Sequence, residues 1–178
     1  SNGMVFGILG EVSTDIYRIR DDATFGGSHN RTHGAVAAEL RWPLVKAGKN
    51  GVNHVIEPVI QLVAAPSGTE TLPNEDSVLV EFDQGNLFAL NRFPGADAVE
   101  RGARANIGVN YLRQDPAGWG LGLTFGRVLR ADNLGQFTTG SGLNGRKSDW
   151  LAAAQVTSAN GLGLTNRFLL DDALDVTK

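Results

Sequence analysis

Alternation of apolar and polar residues with period two, held over stretches longer than an ordinary strand, most narrows what this chain folds into. From Phe6 one face reads Phe6, Ile8, Gly10, Val12, Thr14 and Ile16, while the other reads Gly7, Leu9, Glu11, Ser13, Asp15 and Tyr17. An amphipathic helix needs apolar residues three and four apart, whereas alternation belongs to a strand. The pattern recurs at 34–45, 53–64, 102–114, 118–130, 149–158 and 162–170, which makes seven candidate strands. Most are longer than the five or six residues of an average globular strand, and they match the roughly 9–11 tilted residues that cross a bilayer.

The connections carry a second order. Ala47-Gly48-Lys49-Asn50-Gly51, Asp115-Pro116-Ala117-Gly118 and Asn160-Gly161 are short turns, and Asn-Gly is a strong hairpin dipeptide. The connections at 21–33, 65–98 and 131–147 are long, so short and long alternate along the chain. In a meander this places tight turns at one end and long loops at the other, as in outer-membrane barrels. Together the two patterns favour an all-β fold: an antiparallel up-and-down meander forming a segment of a large transmembrane β-barrel. A soluble sandwich with crossing connections has no reason to keep that order.

In such a wall the apolar face meets lipid and the polar face lines the interior, because lipid leaves no backbone group unpaired. Glu39, Arg41, Glu57, Gln61, Arg104, Asn106 and Asn110 fall on the polar face and are expected to look into the lumen. Arg127 falls on the apolar register near a strand end, where a rim position makes it tolerable. Trp42, Trp119, Trp150 and Tyr111 lie near strand ends, where amphipathic rings prefer the headgroup boundary. Gly118, Gly120, Gly122 and Gly126 share the expected inner face and allow either strand curvature or close approach of a partner.

Chemistry is sparse. There is no cysteine, which excludes a disulfide scaffold, a thiol nucleophile and a Cys-based zinc site. The net charge is −3 with interspersed signs, which offers no footprint for nucleic acid. His29 and His33 have the spacing of metal ligands on a helix, but they sit in what reads as a Gly-Ser-Asn loop. Asp76, Ser77 and a histidine form no hydrolase signature, since no Gly-x-Ser-x-Gly elbow accompanies them. No enzyme activity, metal or cofactor is expected.

The long connection 65–98 is the most specific stretch. Ile56-Glu57-Pro58 opens a strand before it. The connection then carries Asn74, Asp76 and Ser77, followed by Glu81 and Asp83, then Leu87 and Phe88. It closes with Asn91, Arg92, Phe93, Gly95 and Asp97. Loops of this length are often functional. This one is expected to fold back and cap or line the barrel mouth, anchored by Phe82, Phe88 and Phe93. The order of these motifs, strongest over 55–112, resembles the barrel of the LptD family of lipopolysaccharide-assembly proteins, also called organic-solvent-tolerance proteins. The resemblance implies an outer-membrane barrel that encloses a lipoprotein partner, LptE. Such a barrel receives lipopolysaccharide from periplasmic bridge proteins through an N-terminal domain and delivers it to the outer leaflet. Residues 4–178 would be central wall of about seven to eight strands, with Ser1-Asn2-Gly3 a tag remnant and both ends cut from a longer chain. The rival reading is a self-contained small outer-membrane or soluble β-barrel that binds an apolar ligand.

Overall fold

A computed structural model describes residues 3–20, 26–68 and 79–178. Its strands are β1 (Val5–Ile19), β2 (Gly27–Arg41), β3 (Leu44–Ala47), β4 (Asn53–Ala64), β5 (Arg104–Gln114), β6 (Gly120–Arg130), β7 (Trp150–Thr157) and β8 (Gly163–Leu170). They form one antiparallel sheet in the order β1-β2-β4-β5-β6-β7-β8, with β3 also paired to β4. β2 and β3 pair one after the other with β4, and every other strand pairs with the next in sequence, so the sheet is a meander. It is open, with β1 and β8 as its edges.

Two expectations need correction. Part of the connection read at 21–33 is strand, because β2 begins at Gly27 and pairs with β1 as far as Ile19. His29 and His33 therefore lie in β2 rather than in a loop, and their four-residue spacing along a strand separates them by about 13 Å. The strand read at 34–45 breaks at Trp42-Pro43, opposite Glu57-Pro58, although the register of β2 and β3 against β4 continues across the break. The Trp42 N–H donates to the Pro58 carbonyl at 3.0 Å, and Pro58 has no N–H to return the bond.

The short turns lie at one end and the long loops at the other. The turn before β6 closes through Gly118 N–H to the Asp115 carbonyl at 2.9 Å. The turn before β8 closes through Gly161 N–H to the Ser158 carbonyl at 3.0 Å. Gly118 and Gly161 have φ of +92° and +80°, a backbone that side chains resist.

The cross-strand register sorts the two faces row by row. One row of the outer face runs Leu40, Ile60, Ile107, Arg127 and Trp150. The next toward the turns runs Trp42, Pro58, Val109, Phe125, Ala152 and Phe168. Phe6, Ile8, Val12 and Ile16 of β1 lie on this face and are exposed. An apolar surface this wide is not left open to water by a soluble monomer. Arg127 keeps its place among these residues through a 2.8 Å bond to Asp172, a bond to the Ser148 carbonyl and the Trp150 ring 4.6 Å away.

Two expected results follow. In plain buffer the isolated chain should self-associate through its free edges and apolar face, and disperse in detergent. Sedimentation in both conditions checks this, and a monodisperse monomer without detergent would contradict it. Ile60→Arg, in mid-strand on the lipid side, should cost about 2–4 kcal/mol in the membrane-inserted protein. Thr165→Arg, on the opposite face, should stay within about 0.5 kcal/mol. Urea unfolding in detergent or bilayer measures both, and equal costs would remove the distinction between the faces.

Candidate functional site

The hydrophobic core lies on the inner face, where the long loops fold back onto the sheet. Val80, Phe82, Leu87 and Phe93 from the first loop meet Phe137 and Leu143 from the second, over Val128, Leu151 and Leu169 of the wall. Residues 79–103 thus form a strap across the inner face. Its turns are set by side chains. Asp83 accepts the N–H groups of Gly85 and Asn86 at 2.8 and 3.0 Å. Asn91 accepts those of Phe93 and Glu100 at 3.2 and 3.0 Å and donates to the Ala98 carbonyl at 3.1 Å, which closes residues 91–100 on themselves.

Leu87 is the strap's deepest apolar anchor, and the wall is shaped for it. Gly108 and Gly126 pair directly across β5 and β6. A Cβ at Gly126 would stand 2.6 Å from the Leu87 side chain and 2.5 Å from the Ile107 carbonyl, so two missing side chains make the socket. Of the four glycines expected to admit close approach, Gly126 alone admits the strap, while Gly118 admits Ala159 of the neighbouring turn. Gly118 lies in a turn, and the strap does not reach Gly120 or Gly122. Phe93 stacks on Phe137 at 4.9 Å, which joins the two loops.

Beside that socket one carboxylate holds three guanidiniums. Glu100 Oε2 accepts from Arg92 Nη1 at 2.6 Å, and Oε1 accepts from Arg130 Nη2 at 3.0 Å. Arg104 Nε lies at ion-pair distance, 3.5 Å. All four side chains are almost completely buried. Burial pushes the Glu100 carboxyl up, but the charges of Arg92, Arg104 and Arg130 outweigh it and hold the group below its ordinary range. The guanidiniums also take strap and loop carbonyls: Arg92 that of Leu87 at 2.5 Å, Arg104 that of Leu90, and Arg130 that of Leu143 at 2.8 Å.

From this cluster a hydrogen-bond chain crosses the wall. Arg92 Nη2 donates to Asn106 Oδ1 at 2.9 Å, and Asn106 Nδ2 donates to Gln61 Oε1 at 2.7 Å. Gln61 Nε2 then donates to Glu39 Oε2 at 3.0 Å. Arg41 closes the chain with bonds of 2.6 Å to Glu39 and 3.2 Å to Glu57. The strap is also tied at both flanks. On one side Arg31 donates to the Ala96 and Asp97 carbonyls at 2.5 Å, and the Tyr17 hydroxyl donates to Asp97 at 3.0 Å. On the other, Arg167 of β8 pairs with Glu81 at 3.3 Å and with Asp83 at 3.6 Å. A cavity of about 270 Å³ remains between the strap and β1, β2 and the end of β4, lined by Arg31, His33, Leu90, Phe93 and Glu100 among others.

Of the loop-motif residues, Asn74, Asp76 and Ser77 lie outside the described residues. Leu87, Phe88, Asn91, Arg92 and Phe93 form the seated centre of the strap, while Glu81, Asp83 and Asp97 make its flanking ties. Gly95 sits exposed between Pro94 and Ala96 in the bend of residues 93–97, with φ +82°. Gln61, Arg104 and Asn106 are buried beneath the strap, whereas Glu39, Arg41, Glu57 and Asn110 lie on the same face, partly exposed. Glu100, Arg130, Arg31 and Tyr17 belong to the site and carried no signal of their own. Only alternation pointed toward any of them, putting Tyr17 of β1 and Arg130 of β6 on the inner face.

None of the curated proteins compared matches the chain. The family model of LptD, described as LPS transport system D, matches residues 9–177, nearly the whole length. An all-β meander with an apolar outer face, a polar inner face and long loops gathered at one end agrees with that match. The chain belongs to the LptD family, whose members are outer-membrane β-barrel proteins of lipopolysaccharide transport and assembly.

Proposed function

We propose that residues 4–178 form a stretch of the barrel wall of a lipopolysaccharide translocon. In this reading the outer face stands in lipid, the inner face and strap meet the enclosed LptE-like lipoprotein, and the intact barrel delivers lipopolysaccharide to the outer leaflet. Bridge proteins on the periplasmic side would supply the substrate through a domain outside this chain. The observation that carries the reading is the row-by-row division of the sheet. An apolar face far too large for water backs a face crossed by the bonded chain from Glu57 to Glu100. Of the residues expected to look into the lumen, Glu39, Arg41, Glu57 and Asn110 are those left partly open, and they are the positions assigned to partner or substrate contact. The role is transport, and the residues supply a polar, rigid lining rather than a reacting group.

The test is site-specific photo-crosslinking in cells that make the intact protein. A photoreactive residue at Glu57 or Asn110 should capture the lipoprotein or lipopolysaccharide. One at Ile60 or Val156, on the outer face, should capture no lipoprotein. Capture of the lipoprotein from the outer positions, or of neither partner from the inner ones, would overturn the assignment.

A further inference from the structure

We propose that a basic row at the short-turn end of the outer face binds the phosphate headgroup of an anionic phospholipid. The inference rests on the outer face being the lipid face. Lys46 of β3 pairs with His54 of β4, and His54 pairs with Arg113 of β5, so the three side chains stand side by side on that face. Direct cross-strand neighbours have Cβ atoms about 4.5–5.5 Å apart, which places all three groups within reach of one phosphodiester.

The row is built rather than incidental. The Arg113 guanidinium lies 3.9 Å above the Trp119 ring and donates to Asp115 at 3.0 Å, which fixes it beside the turn. His54 Nδ1 and the Tyr111 hydroxyl share a hydrogen bond of 2.9 Å. A Cβ at Gly48 would come within 3.2 Å of His54 Nε2, so the glycine clears room for the ring. The charged groups facing the row are Lys46 and Arg113 on the positive side and Asp115 on the negative, with Lys49 in the adjoining turn. The balance favours an anion.

The next row toward the long loops supplies the apolar half of a lipid site. It runs Leu44, Ile56, Tyr111 and Leu123, of which the three aliphatic side chains are 40–44% exposed. A headgroup held by the basic row would lay its acyl chains along these residues, with Tyr111 and Trp119 at the boundary. Basic side chains bordered by aromatics at a membrane interface attract anionic lipid, and their stems lie easily along apolar surface. The short-turn end of an outer-membrane barrel is its periplasmic end, so the occupant is a phospholipid of that leaflet.

Native mass spectrometry of the intact protein in mild detergent tests this with phosphatidylglycerol as the probe and phosphatidylcholine as the control. Phosphatidylglycerol should be retained in preference, and Lys46→Gln with Arg113→Gln should weaken its retention about thirtyfold. Lys46→Arg with Arg113→Lys should keep it, and an unchanged unfolding temperature would show that the neutral variant still folds. Equal retention of the two lipids overturns the proposal, as does retention that is unaffected by the neutral pair. Displacement by inorganic phosphate at matching concentration would reduce the row to a simple anion site and also overturn it. A protein that is monodisperse without detergent and retains neither lipid would instead overturn the reading of the outer face.

Discussion

Glu100→Gln is expected to be the most damaging single change in the described chain, at about 3–5 kcal/mol. The amide fills the same volume but leaves Arg92, Arg104 and Arg130 buried together without a counter-charge. Removing one partner of a buried ion cluster costs more than the cluster contributes, because the remaining charges cannot reach water. The strap should come off the wall, and limited proteolysis within 79–103 should become fast while the strands stay protected. Adding Arg130→Met should recover part of the loss, since a cation without a counter-ion is then replaced by an apolar side chain. A loss below about 1 kcal/mol would mean that the cluster is solvated and that the strap is held by something else. Acid should act the same way. The Glu100 carboxyl lies below its ordinary range, so its stabilisation is complete above the unfolded value near 4.5. It is lost only as the pH falls through the lower folded value, so the strap should stay docked at pH 6 and release in strong acid.

Leu87→Ala should cost about 2–5 kcal/mol, the range for a buried leucine whose cavity cannot collapse. The floor of its socket is backbone, where Gly108 faces Gly126, and strands bonded on both sides cannot close the gap. Filling the socket from below should do similar harm. The Cβ of Gly126→Ala would meet both Leu87 and the Ile107 carbonyl, for about 1–3 kcal/mol. If the Ala variants at 87 and 126 were combined, the new methyl would partly occupy the space the leucine left, and the costs should fall short of their sum. Strict additivity in urea unfolding would show that Leu87 does not rest on Gly126.

The wall was legible because a bilayer imposes one rule on every strand inside it. The faces assigned to β4, β5 and β6 from alternation agree with the observed register at each pair. The rule weakens where the wall is more polar. Ser28, Asn30 and Thr32 share the outer face of β2 but have no apolar contrast to the inner His29, Arg31 and His33, so this half of the strand read as loop. The strap was legible as a motif but not as a mechanism. Asn91 and Arg92 stood out in the sequence, yet the partner that gives Arg92 its meaning is Glu100, in the unremarkable run Val99-Glu100-Arg101. A lone glutamate before a strand has the pattern of a solvated residue. Its burial depends on Arg130, which is brought to it only by the sheet.

The flanking ties of the strap also imply an order in which this region should form. Adjacent strands of the meander zip together through local turns, whereas Tyr17 finds Asp97 across 80 positions and Arg167 finds Glu81 across 86. Contacts between positions so distant in sequence form after the local ones, because the intervening chain must first lose its freedom. The centre of the strap, held by Glu100 and Leu87 to nearby β5 and β6, should therefore dock before its flanks, and the ties to Tyr17 and Arg167 should close last, once β8 has joined the sheet.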